Sequence, residues 1–570
     1  MSTSHESPDP TQDHAAPAAA TREATVDRRG FVRIAVAAAA AGGGLAAGAA
    51  GGASVASAQG RGGAPQQQQQ TREWPPLGNG EPPALQFQPY PGGTGAYIER
   101  LARERGRDAF DRVPIEVAPW TGPVPAAEED IAFLPAHRLS ALIRARAISS
   151  VDLTEIYLAR LKRLDPTLLC AVTLMEGQAR EAAQQADAEI RAGRYRGPLH
   201  GLPWGVKDLF ATRGVRTTWG SSDFENRIID EDAEVVVRLR EAGAILIAKL
   251  ATGLFAQGDQ WYRGQTKNPW NLEQGSSGSS AGPASATAAG CVAFAIGTET
   301  QGSIVSPARR CSVSALRPTF GRVSRHGAMV LAWSMDKAGP IARSVEDCAL
   351  VFNAIHGASE LDPATVTAPF RFDRSLDLAR LRIGYDEQAP QDFLASLRQL
   401  GADPVPVGQR PDSRGVSQLS AESAAAFEAW VDALPPLPPD SAQAAAAGRG
   451  GAGGAGGAGG AGSRGRFTRG REVSALDFLK AQRRRQILMQ EMAAFMKDLD
   501  LYVSGSGDVG LTNQTGHPAV VLPCAMTEGE HPQPATTTLI GALFADDLIL
   551  SVAHRFQAAT DWHLRRPALG

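Results

Sequence analysis

A chain of 570 residues is long enough for one large catalytic domain or two to three ordinary ones. Its 43% hydrophobic and 21% charged residues are those of a soluble globular protein, which excludes a disordered or fibrous chain. A formal net charge of −3 leaves no basic footprint for nucleic acid.

The chain begins with an address. Asp27-Arg28-Arg29-Gly30-Phe31-Val32-Arg33 precedes a weakly apolar Ala/Gly-rich run, which ends at Ala56-Ser57-Ala58 before Gln59. Charged start, apolar middle and small-residue end, in that order, read as a signal peptide over residues 1–58. The paired arginines make it a twin-arginine signal, with the export machinery as a transient partner and the periplasm or exterior as destination. The middle is too weakly apolar for a stable membrane anchor. Residues 59–128, rich in Pro, Gly and Gln, read as a spacer with little core.

Regular patterning starts near Ile131 and defines a single large domain over residues 129–570. Apolar residues recur at helical spacing over 139–164, with a helix start at Ser150 and Asp152. Helices are also expected over 177–192 and 233–242, the latter closed by Gly243 and followed by a short apolar strand over 244–248. Residues 283–289 are small and read as a tightly packed helix, and 292–296 as a buried strand. Residues 444–465, almost entirely Ala and Gly, cannot bury enough side chain to offset their ordering entropy and read as a surface insertion. A helix over 476–499 and strands over 501–503 and 519–522 follow. Helices alternating with short apolar strands predict an α/β fold with a mixed, mostly parallel sheet covered by helices.

Cys170, Cys291, Cys311, Cys348 and Cys524 are scattered and form no CxxC pair, which argues against a disulfide framework or a zinc site. Three other segments carry chemistry. In His200-Gly201-Leu202-Pro203-Trp204-Gly205-Val206-Lys207-Asp208 a lysine sits among apolar and turn residues. Buried, it would lose basicity and become a proton acceptor. On this segment alone, a loop pairing of Lys207 with Asp208 is the simpler reading. The other two are Gly275-Ser276-Ser277-Gly278-Ser279-Ser280-Ala281-Gly282 and Gly297-Thr298-Glu299-Thr300-Gln301-Gly302-Ser303-Ile304, at the two ends of one loop–helix–strand unit. His200 and His517 read as structural loop residues.

These segments resemble the amidase signature family, serine hydrolases with a Ser–cis-Ser–Lys triad. Its Gly-Ser-Ser-Gly-Gly loop matches 278–282, its Gly-Thr-Asp-x-Gly-Gly-Ser-Ile stretch matches 297–304, and its Gly-(Ile/Leu)-Pro-x-x-x-Lys-Asp motif matches 201–208. Thr217-Thr218-Trp219-Gly220-Ser221, Asn268-Pro269-Trp270-Asn271, Gly339-Pro340-Ile341-Ala342-Arg343-Ser344 and Thr512-Asn513-Gln514-Thr515-Gly516-His517-Pro518-Ala519 extend the likeness. The resemblance implies hydrolysis of carboxylic amides through a seryl acyl-enzyme. Ser303 would be nucleophile, Ser279 the bridge after a cis Gly278–Ser279 bond, and Lys207 the base. Backbone N–H groups of Thr300, Gln301, Gly302 and Ser303 would form the oxyanion hole. No metal or organic cofactor is implied; the partner is a small amide, and a homo-oligomer is compatible with the chain.

Departures from the family pattern bear on this expectation. Gln301 and Ala281 replace glycines, and Val305 replaces a common arginine unless Arg309 or Arg310 supplies the charge. Leu254 stands where a carboxylate is frequent, which suggests a more apolar pocket. Three alternatives stand beside the amidase: an α/β-hydrolase elbow in 278–282, a glutamine-hydrolysing amidotransferase A-type subunit, and a non-catalytic binding protein of the same fold.

Overall fold

Eleven short strands form one sheet in the computed structural model, which describes residues 90, 92–434 and 467–569. The segment read as a signal peptide, the glutamine run and the segment read as an insertion at 444–465 lie outside the described residues. In chain order the strands are β1 (Ala171–Leu174), β2 (Pro203–Lys207), β3 (Ile245–Leu250), β4 (Phe294–Glu299), β5 (Ser314–Arg317), β6 (Lys337–Ala342), β7 (Ile383–Tyr385), β8 (Val405–Pro406), β9 (Leu501–Ser504), β10 (Ala519–Met526) and β11 (Pro534–Gly541). They lie side by side as β1-β3-β2-β4-β6-β5-β10-β11-β9-β7-β8.

The sheet is mixed and helix-covered, as the alternation of elements implies. Parallel pairing forms two blocks, β3-β2-β4 and β9-β7-β8. Antiparallel ladders join them through β6, β5, β10 and β11, so antiparallel pairing carries more of the middle than the sequence pattern implies. These central strands are buried along most of their length, so they lack the polar–apolar alternation that marks a half-solvated antiparallel strand.

The helices used below are α1 (Thr94–Arg105), α2 (Ser150–Leu168), α3 (Glu176–Arg191), α4 (Glu234–Glu241), α5 (Ala281–Ala288), α6 (Val305–Arg310), α7 (Val345–Ile355), α8 (Ala475–Phe495), α9 (Val509–Thr515) and α10 (Asp546–Ala559). Ser149 and Ser344 cap α2 and α7 by accepting from the N–H of Asp152 and Asp347, at 3.0 and 3.1 Å. Helix α5 is buried along its whole length and consists of Ala, Gly, Pro, Ser and Thr. Small side chains let it sit close to the sheet: a Cβ at Gly282 would lie 2.3 Å from Ala251 N and from Cys170 O.

The segment read as a spacer to residue 128 does more than connect. Helix α1 buries Leu101, and the rings of Tyr90 and Tyr97 pack tilted against Phe544, with centroids 4.8 and 5.4 Å away. Arg105 pairs with Asp547, and Arg112 donates to the terminal carbonyls of α7 at Asn353 and Ala354. The Pro/Gly content masks two aromatic anchors. All five cysteines are buried.

Candidate active site

Strand β2 ends on Lys207, whose neighbours on both sides of the strand, β3 and β4, exclude water. The amine is fully buried. Its Nζ donates to Ser279 Oγ at 2.8 Å, to Thr298 Oγ1 at 2.8 Å and toward Thr298 O at 3.4 Å. Successive residues of a strand point to opposite faces, so Asp208 turns away from Lys207. Its carboxylate accepts from Thr218 N and Oγ1 at 2.9 and 2.5 Å and pairs with Lys249 at 2.9 Å. The loop pairing of Lys207 with Asp208 is therefore replaced by an Asp208–Lys249 pair. Burial holds the Lys207 amine well below the ordinary lysine range; Asp336 and Glu299 oppose this but do not reverse it.

Ser279 is buried and follows a cis bond to Gly278. Glycine is required before it, because a Cβ at 278 would fall 1.8 Å from Gly258 O. The next residue locks the unit together. Ser280 Oγ donates to Thr298 O at 3.1 Å and accepts from Thr298 N at 3.2 Å, and its backbone N–H donates to Ser303 O at 3.0 Å. The two serine loops thus meet, as their position around α5 suggests. Ser280 Oγ is turned to the sheet and no strand of the large sheet leads into this loop, so the α/β-hydrolase elbow is not formed.

Ser303 is half-buried, one residue before Ile304 and the start of α6. Its loop hangs from a buried carboxylate at the end of β4. Glu299 Oε2 accepts from the N–H groups of Ile304 and Val305, both at 2.8 Å. Its Oε1 accepts from Arg317 Nη1 at 2.9 Å and Asn513 Nδ2 at 2.7 Å. Burial alone would raise the Glu299 carboxyl, but Arg317 and these donors hold it below its usual range, so it stays ionised. On the other side, Thr300 Oγ1 donates to Asp336 Oδ1 at 2.6 Å, and Asp336 Oδ2 accepts from Leu331 N and Ala332 N at 2.8 and 3.0 Å.

The departures from the family pattern resolve locally. Gly302 takes the left-handed backbone, with φ +100°, while Gln301 does not and points its side chain to the surface. Among the described residues, the N–H groups of Gln301, Gly302 and Ser303 donate to no protein acceptor. Ala281 opens α5, whereas Gly282 makes the close approach. Neither Arg309 nor Arg310 reaches the loop: Arg309 donates to Gly505 O and Thr538 Oγ1, and Arg310 to Gln274. The charge beside Glu299 comes from Arg317 on β5 instead. Leu254 joins Phe255, Trp219, Phe427, Trp430 and Phe467 in an aromatic cluster.

Thr298, Arg317, Asp336 and Asn513 support the site, although the sequence alone marks none of them as a site residue. Thr298 and Asn513 stand inside matched motifs, which is their only signal. Arg317 gives none. Both histidines are structural. His200 accepts from Arg196 N at 3.1 Å, and buried His517 contacts Thr515 Oγ1 at 2.9 Å while its carbonyl accepts from Arg317 at 2.6 Å. Burial pushes the His517 imidazole down to about 3. No cluster of three or more His, Cys, Asp or Glu side chains that could hold a metal occurs among the described residues. No helix among them is long and apolar enough to cross a membrane.

A model of the amidase family matches residues 152–434. The A subunit of the glutamyl-tRNA(Gln) amidotransferase of Methylococcus capsulatus is 33% identical over 489 residues, covering 75% of this chain and 98% of its own. The protein of the same name from Roseiflexus sp. is 33% identical over 475 residues, covering 75% and 96%. Among solved structures, the peptide amidase of Stenotrophomonas maltophilia is 29% identical with a TM-score of 0.64, covering 76% of this chain and 98% of its own. An amidase family protein of Bacillus anthracis is 26% identical with a TM-score of 0.65, covering 78% and 94%.

Proposed function

The chain belongs to the amidase family of carbon–nitrogen hydrolases, and from that premise we propose that it cleaves carboxylic amides through an acyl-enzyme on Ser303. The observation that carries this reading is the buried Lys207 amine, hydrogen-bonded to the Ser279 hydroxyl at 2.8 Å and unpaired with any carboxylate. An uncharged amine can accept a proton, and a serine attacks only when something takes its proton. Lys207 draws the proton of Ser279, Ser279 that of Ser303, and Ser303 Oγ bonds to the amide carbon. The tetrahedral oxyanion is received by the N–H groups of residues 300–303, of which those of Gln301, Gly302 and Ser303 have no competing protein acceptor. The relay returns the proton to the leaving amine. Water then attacks the ester by the same route and frees the acid.

Ser303→Ala removes the bond-forming oxygen. Turnover is expected to fall by about 10³-fold or more with the melting temperature nearly unchanged. Amide hydrolysis retained by the folded variant excludes this nucleophile. An intact Lys207–Ser279 contact also favours an enzyme over a non-catalytic binding protein.

A second reading, a component that releases ammonia from glutamine for a partner, is favoured by the names of the curated relatives. The amino-terminal Arg28-Arg29 segment favours the first, because it fits export of a folded, self-sufficient enzyme. Arg28→Lys with Arg29→Lys should leave the protein inside the cell, read by fractionation. Export of that double variant at the parental level removes the argument from the paired arginines.

A further inference from the structure

Beside the site lies a cavity of about 390 Å³, within the size range of small-molecule pockets. Thr298, which accepts from Lys207, and Thr300, three residues before Ser303, form one side of it. Leu209, Phe210, Met329 and Leu331 supply apolar walls. Two large apolar side chains stand at the exposed edge, Trp333 at 49% and Leu361 at 60% accessibility, against the usual tendency of such groups to bury.

Of the charged groups on this wall, Arg325 and Asp362 match one another, and buried Lys337 donates to Met335 O while burial holds its amine well below the ordinary lysine range. Arg325 makes a two-pronged bond to Asp362, Nε to Oδ2 and Nη2 to Oδ1, both at 2.9 Å, and its Nη1 donates to Trp333 O at 2.5 Å. Arg325 thereby clamps the 331–333 and 361–364 segments into one rim. The Asp336 carboxylate is occupied by Thr300, Leu331 and Ala332. His326 faces Glu231 at 3.8 Å. A zwitterionic amino-acid amide would enter without a free counter-charge for its ammonium or its carboxylate, and desolvating either unpaired is costly. An uncharged apolar group incurs no such cost.

We propose that this cavity is the specificity pocket of the hydrolase and that it receives the apolar part of an uncharged amide, an aryl or branched alkyl group, rather than the charged end of glutamine. The inference rests on the amide-hydrolase reading above and names its substrate class. Each methylene buried in such a pocket favours the longer substrate by roughly fourfold.

The test compares kcat/KM for acetamide, butanamide, phenylacetamide and glutamine in the parent, in Ala328→Trp and in Val330→Trp, both placed on the cavity wall. In the parent, phenylacetamide should exceed acetamide by at least thirtyfold and glutamine by more. Each filling variant should lose at least tenfold on phenylacetamide and less than threefold on acetamide, with unchanged melting temperature. Binding is read separately in Ser303→Ala, where phenylacetamide should quench Trp333 fluorescence and glutamine should not. A parent that prefers glutamine or acetamide, or filling variants that lose all substrates equally, overturns the pocket assignment while the catalytic reading stands. Hydrolysis that survives in Ser303→Ala overturns the catalytic reading instead. A filling variant that fails to fold leaves the quenching experiment to decide: absence of phenylacetamide quenching overturns the pocket.

Discussion

At the residue scale the decisive fact is where Lys207 is denied a partner. Asp208 adjoins it in sequence, yet the strand turns that carboxylate toward Lys249 and leaves Lys207 with hydroxyls and a carbonyl. A lysine whose folded proton affinity is lowered works against folding wherever the unfolded chain would be protonated. Stability from this group therefore rises with pH from the lowered folded value up to the ordinary 10.5, and falls as pH drops. Catalysis has the same direction, because the protonated amine accepts nothing. kcat/KM is expected to rise with pH across an ionisation well below 10.5. Lys207→Met should abolish turnover, yet melt no lower than the parent at neutral pH. A rate independent of pH between about 5 and 9, or a large loss of melting temperature in the methionine variant, contradicts an uncharged base.

At the element scale, the site is a matter of how closely α5 approaches β3 and β4. Gly282 stands against backbone atoms of Ala251 and Cys170, which cannot rotate away. Gly282→Ala is expected to destabilise by about 1–3 kcal/mol, as overpacking does, and to lower kcat by moving Ser279 and Ser280 off β4. Urea unfolding and kcat read the two effects; a neutral outcome in both disproves the tight approach. This helix and strands β3, β4, β9 and β10 are legible in the sequence because each is a run of small or branched apolar residues between turns. Strand β2 reads as a motif with turn residues, since Pro203 and Gly205 hide it. Strands β5, β6 and β11 carry no alternation, being buried or broken by proline and threonine. The proposed triad is legible through its motifs. The Glu299–Arg317–Asn513 and Thr300–Asp336 supports depend on pairings between residues up to 214 positions apart, which no local pattern announces.

At the scale of the whole molecule, α1 and its flanks hold the far side of the domain. A chain starting at residue 113 loses Tyr90, Tyr97, the Arg105–Asp547 pair and the Arg112 contacts to α7. It is expected to melt about 1–2 °C below one starting at residue 90, as loss of about 1–2 kcal/mol would produce in a domain this large. Equal melting temperatures place no stabilising role on that segment.

The strand order has a consequence for biosynthesis. Strands β9, β10 and β11 come from the last 70 residues, yet they sit between β5 and β7. A ribosome that has finished Ser303, its bridge and its base has still made a sheet with an open seam through the middle. Until residues 519–526 emerge, β5 presents unpaired main-chain groups and α6 an uncovered apolar flank, the kind of surface that holds chaperones and seeds aggregates. Translation arrested shortly before the final hairpin would therefore yield a chain that possesses its whole proposed triad on only the first half of its sheet.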